Sequence, residues 1–281
     1  MKNYYTHERI SPAVIRIDSR NESAYLVEGS RQAALIDACS GAGNIGDYAR
    51  SLTRLPLILI LTHGHVDHLG GAMSVKKRYL SRLDWELAEE YGSYEVRKAH
   101  LLRRPEDGVK IEDIMPEQVC GFEPLEDEQE FDLGGIHLKA LPLPGHTPGS
   151  MAVLHEEERV LLLGDACNTL TFLFLPASST VEAYEKTLQN FWEKWSDAFD
   201  HVIFSHFEKA SREIIKENMK LCRDILDGKS DEQPFQSWHN NLGEELPLIA
   251  KRLTGHPRNR QREDGGEGNI IYRRTALWSS Y

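Results

Sequence analysis

The sequence predicts an α+β protein, on three observations. Short β-rich runs follow one another before residue 37, and amphipathic stretches with apolar positions three and four apart occur after residues 81 and 179. Between them, Pro56-Leu57-Ile58-Leu59-Ile60-Leu61 is continuous in Leu and Ile, as a strand covered on both faces would be. With 281 residues, 40% of them hydrophobic, the chain can bury a substantial core. One domain over residues 1–281 is expected, with a helical insertion at about 81–119 and a C-terminal extension at about 229–281.

The first strands are expected at 13–17, 23–27 and 33–37, separated by the turn-like Ser19-Arg20-Asn21-Glu22 and Glu28-Gly29-Ser30-Arg31. A helix over Ile45 to Leu55 leads into the Leu/Ile strand, and a second helix is expected over Leu69 to Leu80. The 81–119 interval reads as one or two amphipathic helices. Gly134-Gly135 supplies a hairpin turn, with Ile136 and Leu138 alternating with His137 and Lys139. Strands are expected at 151–155, 159–163 and 201–204, and Cys167 to Phe174 is expected as a loop. Ser179-Thr180-Val181-Glu182 is a capping-box pattern that opens a core helix carrying Trp192 and Trp195. A helix from about Glu208 to Leu226 should stop near Gly228. In the tail, Pro234 to Leu253 reads as helical with Trp238 and His239, Thr254 to Gly268 as a loop, and Ile270-Ile271-Tyr272 as a short edge strand.

Forty-four acidic against 33 basic side chains give a formal charge of −11, which repels a polyanionic backbone. Nucleic acid is therefore not expected as a partner. The N-terminal residues lack the apolar core of a secretion signal and no window resembles a membrane span, so a cytoplasmic protein with no membrane partner is expected. Cys39, Cys120, Cys167 and Cys222 show no paired spacing and suggest neither a disulfide framework nor a zinc knuckle.

The chemistry concentrates in Thr62-His63-Gly64-His65-Val66-Asp67-His68-Leu69-Gly70-Gly71, where the Leu/Ile strand ends. Imidazole nitrogen and carboxylate oxygen suit zinc or another borderline divalent ion, and a glycine-containing loop can curl so that several neighbours converge. A solvated polar loop would not need three histidines and an aspartate at this spacing. This His-x-His-x-Asp-His pattern resembles the signature of the metallo-β-lactamase superfamily. Three further stretches extend the resemblance: Leu143-Pro144-Gly145-His146-Thr147-Pro148-Gly149-Ser150, Leu163-Gly164-Asp165-Ala166 and Phe204-Ser205-His206.

The resemblance implies an αββα four-layer sandwich with two mostly antiparallel sheets and a two-metal site along one edge. It implies that His63, His65 and His146 hold one ion, that Asp67, His68 and His206 hold the second, and that Asp165 bridges both. Asp37 matches the aspartate that supports the family's metal loop from behind; a turn aspartate bonded to its own backbone is the other reading. In the insertion, Trp85, Tyr91, Tyr94 and His100 either line a pocket or pack as ordinary helix residues, and Phe172 and Phe174 are either substrate contacts or core. His7, His137, His155, His201 and His256 read as surface residues.

Two dications about 3.5–4 Å apart can share a water and bring its pKa from about 16 toward neutrality. The expected reaction is attack of the bridging hydroxide on a small ester, thioester or lactone, with Asp67 orienting the nucleophile or moving its proton. The hydroxyacylglutathione hydrolase and lactonase branches are the nearest in motif context, although the tail lacks a clear match to the glutathione-binding portion of the former. Zinc is the first choice of metal, with manganese and iron open. The competing readings are an iron-dependent persulfide dioxygenase or oxygen-reducing enzyme, a phosphodiesterase, and a metal-binding protein without turnover. Self-association into a homo-oligomer is left open.

Overall fold

A computed structural model describes residues 4–206, 209–236, 245–254 and 261–279. These residues fall into two compact units. The first takes in residues within Met1–Pro142, Val153–Glu158 and Ser205–Phe207, the second those within Leu143–Ala152, Arg159–Phe204 and Glu208–Tyr281.

The first unit is built on a seven-stranded sheet in the order β1 (Thr6–Arg9), β2 (Val14–Ser19), β3 (Glu22–Glu28), β4 (Ala33–Ile36), β5 (Leu57–Ile60), β6 (Lys77–Leu80) and β7 (Glu123–Pro124). The four N-terminal strands form an antiparallel meander, with Val14 opposite Val27 and Tyr25 opposite Ile36. From β4 onward the pairing is parallel, so the expectation of mostly antiparallel strands does not hold for this sheet. The edge strand β1 was not anticipated; its residues are all exposed and offer no apolar alternation.

Strand β5 shows why its run is continuous in Leu and Ile: Ile58, Leu59 and Ile60 are each at most 3% exposed. Burying one such side chain stabilises the fold by about 2 kcal/mol. Helix α1 (Ile45–Leu52) lies between β4 and β5, and its Asn44 cap accepts from the Asp47 N–H.

The helix expected over 69–80 is not formed. Helix α2 (Val66–Leu69) is a single turn, a 3-10 turn follows at Ala72–Ser74, and Lys77–Leu80 is strand β6. Gly70-Gly71 ends the turn, and pairing of Ile60 opposite Tyr79 overrides the local periodicity. The 81–119 interval carries two helices as expected, α3 (Trp85–Tyr91) and α4 (Tyr94–Leu102). The hairpin of β8 (Glu130–Asp132) and β9 (His137–Pro142) turns at Gly134-Gly135, and both glycines take positive φ. Strand β10 (Met151–His155) contributes residues to both units.

The second unit contains the parallel pair β11 (Val160–Leu162) and β13 (His201–Ile203), and a four-stranded sheet in the order β12 (Thr171–Phe172), β16 (Ile270–Tyr272), β15 (Leu248–Ile249) and β14 (Gln233–Pro234). Helix α5 (Val181–Trp195) is capped by Thr180, whose side chain accepts from the Ala183 N–H. It packs against α6 (Ile214–Leu226), and Gly228 follows at φ 66°.

Three tail and loop expectations are corrected here. Thr171–Phe172 is a strand, because the Thr171 and Leu173 N–H groups donate to Asn269 and Ile271. Ile270–Tyr272 lies inside its sheet, not at its edge, and is buried. The described ends of 234–253 are strands; Trp238 and His239 lie outside the described residues, as do Glu208 and His256. A fourth correction concerns His155, read as a surface residue but fully buried, with Nδ1 accepting from the Glu158 N–H at 3.2 Å. His7 and His201 are exposed, as read.

Candidate metal centre

The loop after β5 owes its path to close backbone approach. A Cβ on Gly70 would lie 2.2 Å from the Ser40 carbonyl oxygen, and one on Gly71 would lie 2.5 Å from that of Ala38. Only glycine lets the 37–41 and 70–71 segments pass at this distance. From the other side, Asp84 Oδ2 accepts the Gly64 N–H at 2.8 Å, and buried Arg97 donates to the carbonyls of Gly70, Met115, Glu117 and Gly92. Burial pushes the Arg97 pKa down, and the carbonyl dipoles gathered around the guanidinium take the place of water.

Asp37 is the hub of this loop. Its backbone is left-handed at φ 62°, a conformation costing on the order of 1 kcal/mol. In that conformation its carboxylate, 1% exposed as a residue, accepts from the Thr62 N–H at 2.8 Å, from Thr62 Oγ1 at 2.9 Å and from Ser205 Oγ at 3.3 Å. His68 Nδ1 lies 2.7 Å away.

Hydrogen bonds orient the imidazoles. A carbonyl oxygen carries no proton, so a ring nitrogen facing one must donate, and the opposite nitrogen of the neutral ring keeps its lone pair. His206 Nδ1 faces the Asn21 carbonyl at 2.9 Å and His68 Nδ1 faces the Asp37 carboxylate. Both Nε2 atoms therefore turn toward Asp67, at 3.6 Å from Oδ2 for His206 and 3.9 Å from Oδ1 for His68. Ligand atoms of Asp67, His68 and His206 lie within 4.8 Å of one another, a donor set that fits a divalent cation.

His63 Nδ1 lies 3.1 Å from Thr62 Oγ1, whose proton goes to Asp37, so Nε2 again carries the lone pair. It stands 3.0 Å from His65 Nδ1, close to the roughly 3.3 Å separating two nitrogens on one tetrahedral zinc. The His65 ring meets the Tyr91 ring edge-on at 5.0 Å, and burial raises the Tyr91 pKa.

In the second unit the same logic recurs. His146 Nδ1 faces the Phe172 carbonyl at 2.9 Å, and Nε2 is 3.9 Å from Asp165 Oδ2. Asn168 donates to Asp165 Oδ1, and the His146 carbonyl accepts from Ser178 Oγ. At Gly145 a Cβ would collide with the Tyr184 ring at 2.2 Å, so glycine is required before the histidine.

The residues read as pocket or packing separate by position. Trp85 is half-buried, donates to the Leu80 carbonyl, and lines a cavity of about 580 Å³ with Glu89, Gln118, Val119, Cys120, Gly121 and Phe122. Phe174 is buried in a cluster with Leu170, Leu175, Ile249 and Ile271, against which Phe172 packs partly exposed. Tyr94 packs beside Leu101 and Ile114, and His100 lies 3.7 Å from the buried Glu22. Sequence reasoning missed Asn21, Thr62, Asp84, Arg97 and Ser205 as site-building residues. Thr62 and Ser205 carried a signal, each standing beside a histidine of a ligand motif.

The family described as the metallo-beta-lactamase superfamily matches residues 17–203. A hydroxyacylglutathione hydrolase of Haemophilus influenzae is 27% identical over 158 residues, 54% of this chain and 69% of that protein. An acyl-coenzyme A thioesterase of Homo sapiens is 23% identical over 184 residues, 58% of this chain and 66% of that protein. Among solved structures, a metallo-beta-lactamase from Pontibacter korlensis superposes with a TM-score of 0.56 at 18% identity, covering 78% of this chain and 99% of that one. A sec-alkylsulfatase from Pseudomonas sp. gives a TM-score of 0.59 at 16% identity, covering 80% and 42%. Likeness at that identity concerns the fold, an α+β arrangement of mixed sheets and helices.

Proposed function

This chain belongs to the metallo-β-lactamase superfamily, and from that premise we propose that it is a metal-dependent hydrolase of a small ester, thioester or lactone. The observation that carries the proposal is the pair His68 and His206, each with Nδ1 held from behind and Nε2 turned to the Asp67 carboxylate. In this reading His63, His65 and His146 would hold one divalent ion and Asp67, His68 and His206 a second, with Asp165 available to both. Zinc suits the nitrogen and carboxylate donors best. Such ions acidify water and take up negative charge on a carbonyl oxygen.

The chain's own residues supply the rest. The Asp67 side chain remains 25% exposed, so it can hold a water by one oxygen and receive its proton. Asp37, Thr62 and Asp84 keep the loop from rearranging as charge develops. The two relatives act by name on acyl groups carried by glutathione and coenzyme A, and that likeness supports a thioester as the first of the three bond types to test. An overall charge of −11 favours a small-molecule substrate over nucleic acid, and among the described residues no helix is long and apolar enough to cross a membrane.

Elemental analysis of the purified protein, coupled to a panel of acyl thioesters, lactones, β-lactams and phosphodiesters, tests the proposal. Two divalent equivalents per chain and fastest turnover of a thioester or lactone are expected. Metal-free protein that hydrolyses the panel at the full rate, or fastest turnover of a phosphodiester, would overturn it.

A further inference from the structure

The β2–β3 turn and the 81–119 insertion meet behind His206. Ser19 pairs with Glu22 across the hairpin, which leaves Arg20-Asn21 as a two-residue turn. Arg20 takes a positive φ of 57°, a position where glycine is the usual occupant. The Asn21 carbonyl accepts from His206 Nδ1 at 2.9 Å, and the Ser23 N–H donates to the Ser205 carbonyl at 2.7 Å, so the turn grips the 205–206 segment at two points.

The turn is itself gripped from the insertion. Arg104 Nη2 donates to the Asn21 side-chain oxygen, and Arg104 Nε donates to Asp107 Oδ2 at 3.1 Å. The same carboxylate oxygen receives Arg20 Nε at 2.7 Å, with the Arg20 side chain only 5% exposed. Both residues of the turn are therefore bound to one Arg104–Asp107 pair just beyond α4. A backbone carbonyl that orients a ligand histidine is worth only as much as the rigidity of the segment that carries it.

We infer that Arg104, Asp107 and Asn21 are positioning residues that set how tightly the Asp67–His68–His206 group holds a cation, and that this is what the segment of the insertion after α4 adds to the site. The inference rests on the proposed metal site but is separable from it. Its particular claim is selectivity: only the group containing His206 should respond, because His63 Nδ1 is held instead by Thr62 Oγ1 and the backbone between His63 and His65 by Asp84, which accepts the Gly64 N–H.

Cobalt(II) titration of the full-length metal-free protein, followed by visible absorption, tests it, with the His206 group identified as the one whose signal His206→Ala removes. Arg104→Met is expected to weaken cobalt at that group by about 10-fold and to leave the other unchanged. Asn21→Leu should do the same, and Arg104→Met combined with Asn21→Leu should be no worse than either alone. Asn21→Asp, which preserves the acceptor for Arg104, should bind within about 2-fold of the parent. Unchanged affinity in both Arg104→Met and Asn21→Leu, or equal weakening at both groups, would overturn the inference. A parent protein that takes up no cobalt would defeat the metal-site reading itself.

Discussion

Asp37 Oδ2 and His68 Nδ1 stand 2.7 Å apart with both side chains sealed from solvent, so one carboxylate fixes which nitrogen of that imidazole faces Asp67. Asp37→Asn keeps an acceptor for the Thr62 N–H but removes the charge behind His68. A loss of about 10- to 100-fold in affinity for a divalent ion is expected, read by competition with a chelator. Affinity equal to that of the parent would show that the contact does not tune the imidazole.

Asp165 lies 3.9 Å from His146 Nε2, with Asn168 holding its other oxygen. Asp165→Ala should eliminate at least one equivalent of bound metal and depress turnover by two orders of magnitude or more, on the order of 3 kcal/mol in the barrier. Full metal content together with full activity would remove Asp165 from the bridging position.

Gly70 and Gly135 separate two reasons for glycine. A Cβ at Gly70 meets the Ser40 carbonyl at 2.2 Å, whereas at Gly135 it meets nothing and only the φ of 77° resists it. Gly70→Ala should cost about 3 kcal/mol and Gly135→Ala about 1 kcal/mol in urea unfolding. Equal losses would mean that the 37–41 and 70–71 segments can part without cost.

Phe174 is 3% exposed within an aliphatic cluster. Phe174→Ala should lower stability by about 3 kcal/mol, while Trp85→Ala, beside an open cavity, should mainly alter substrate preference. Identical rates across the substrate panel in Trp85→Ala would take that side chain out of substrate binding.

The Arg262 guanidinium pairs with Asp264 and pulls its carboxyl pKa down to about 2. Because the folded value is depressed, the stabilising contribution is complete above the unfolded carboxyl range near 3.9. It is lost as pH falls from there through about 2. Carboxyl-resonance titration should place the Asp264 midpoint near 2, and Arg262→Met should return it toward about 4. An unmoved midpoint would assign the depression to another cause.

The family and most of the elements around His63 were legible because their signals are local. A Leu/Ile run marks a doubly covered strand, the Ser179-Thr180-Val181-Glu182 pattern announces helix α5, and Gly134-Gly135 announces a hairpin. The elements misread were those decided by distant partners. Lys77–Leu80 became a strand because β5 lay alongside it, and Thr171–Phe172 because Ile270–Ile271 came back to pair with it. His155 went inside although its residue type and its neighbours Glu156-Glu157-Glu158 suggested the surface.

By itself the sequence determined which side chains can donate to an ion, since donor chemistry is a property of residue type: His63, His65, Asp67, His68, His146, Asp165 and His206 are visible in any reading. Tertiary structure alone decided which nitrogen each of His68, His146 and His206 presents. The atoms that settle it are the Asp37 carboxylate and the carbonyls of Phe172 and Asn21. Every residue has a carbonyl, so its choice as a partner leaves no mark on the sequence until the chain has folded.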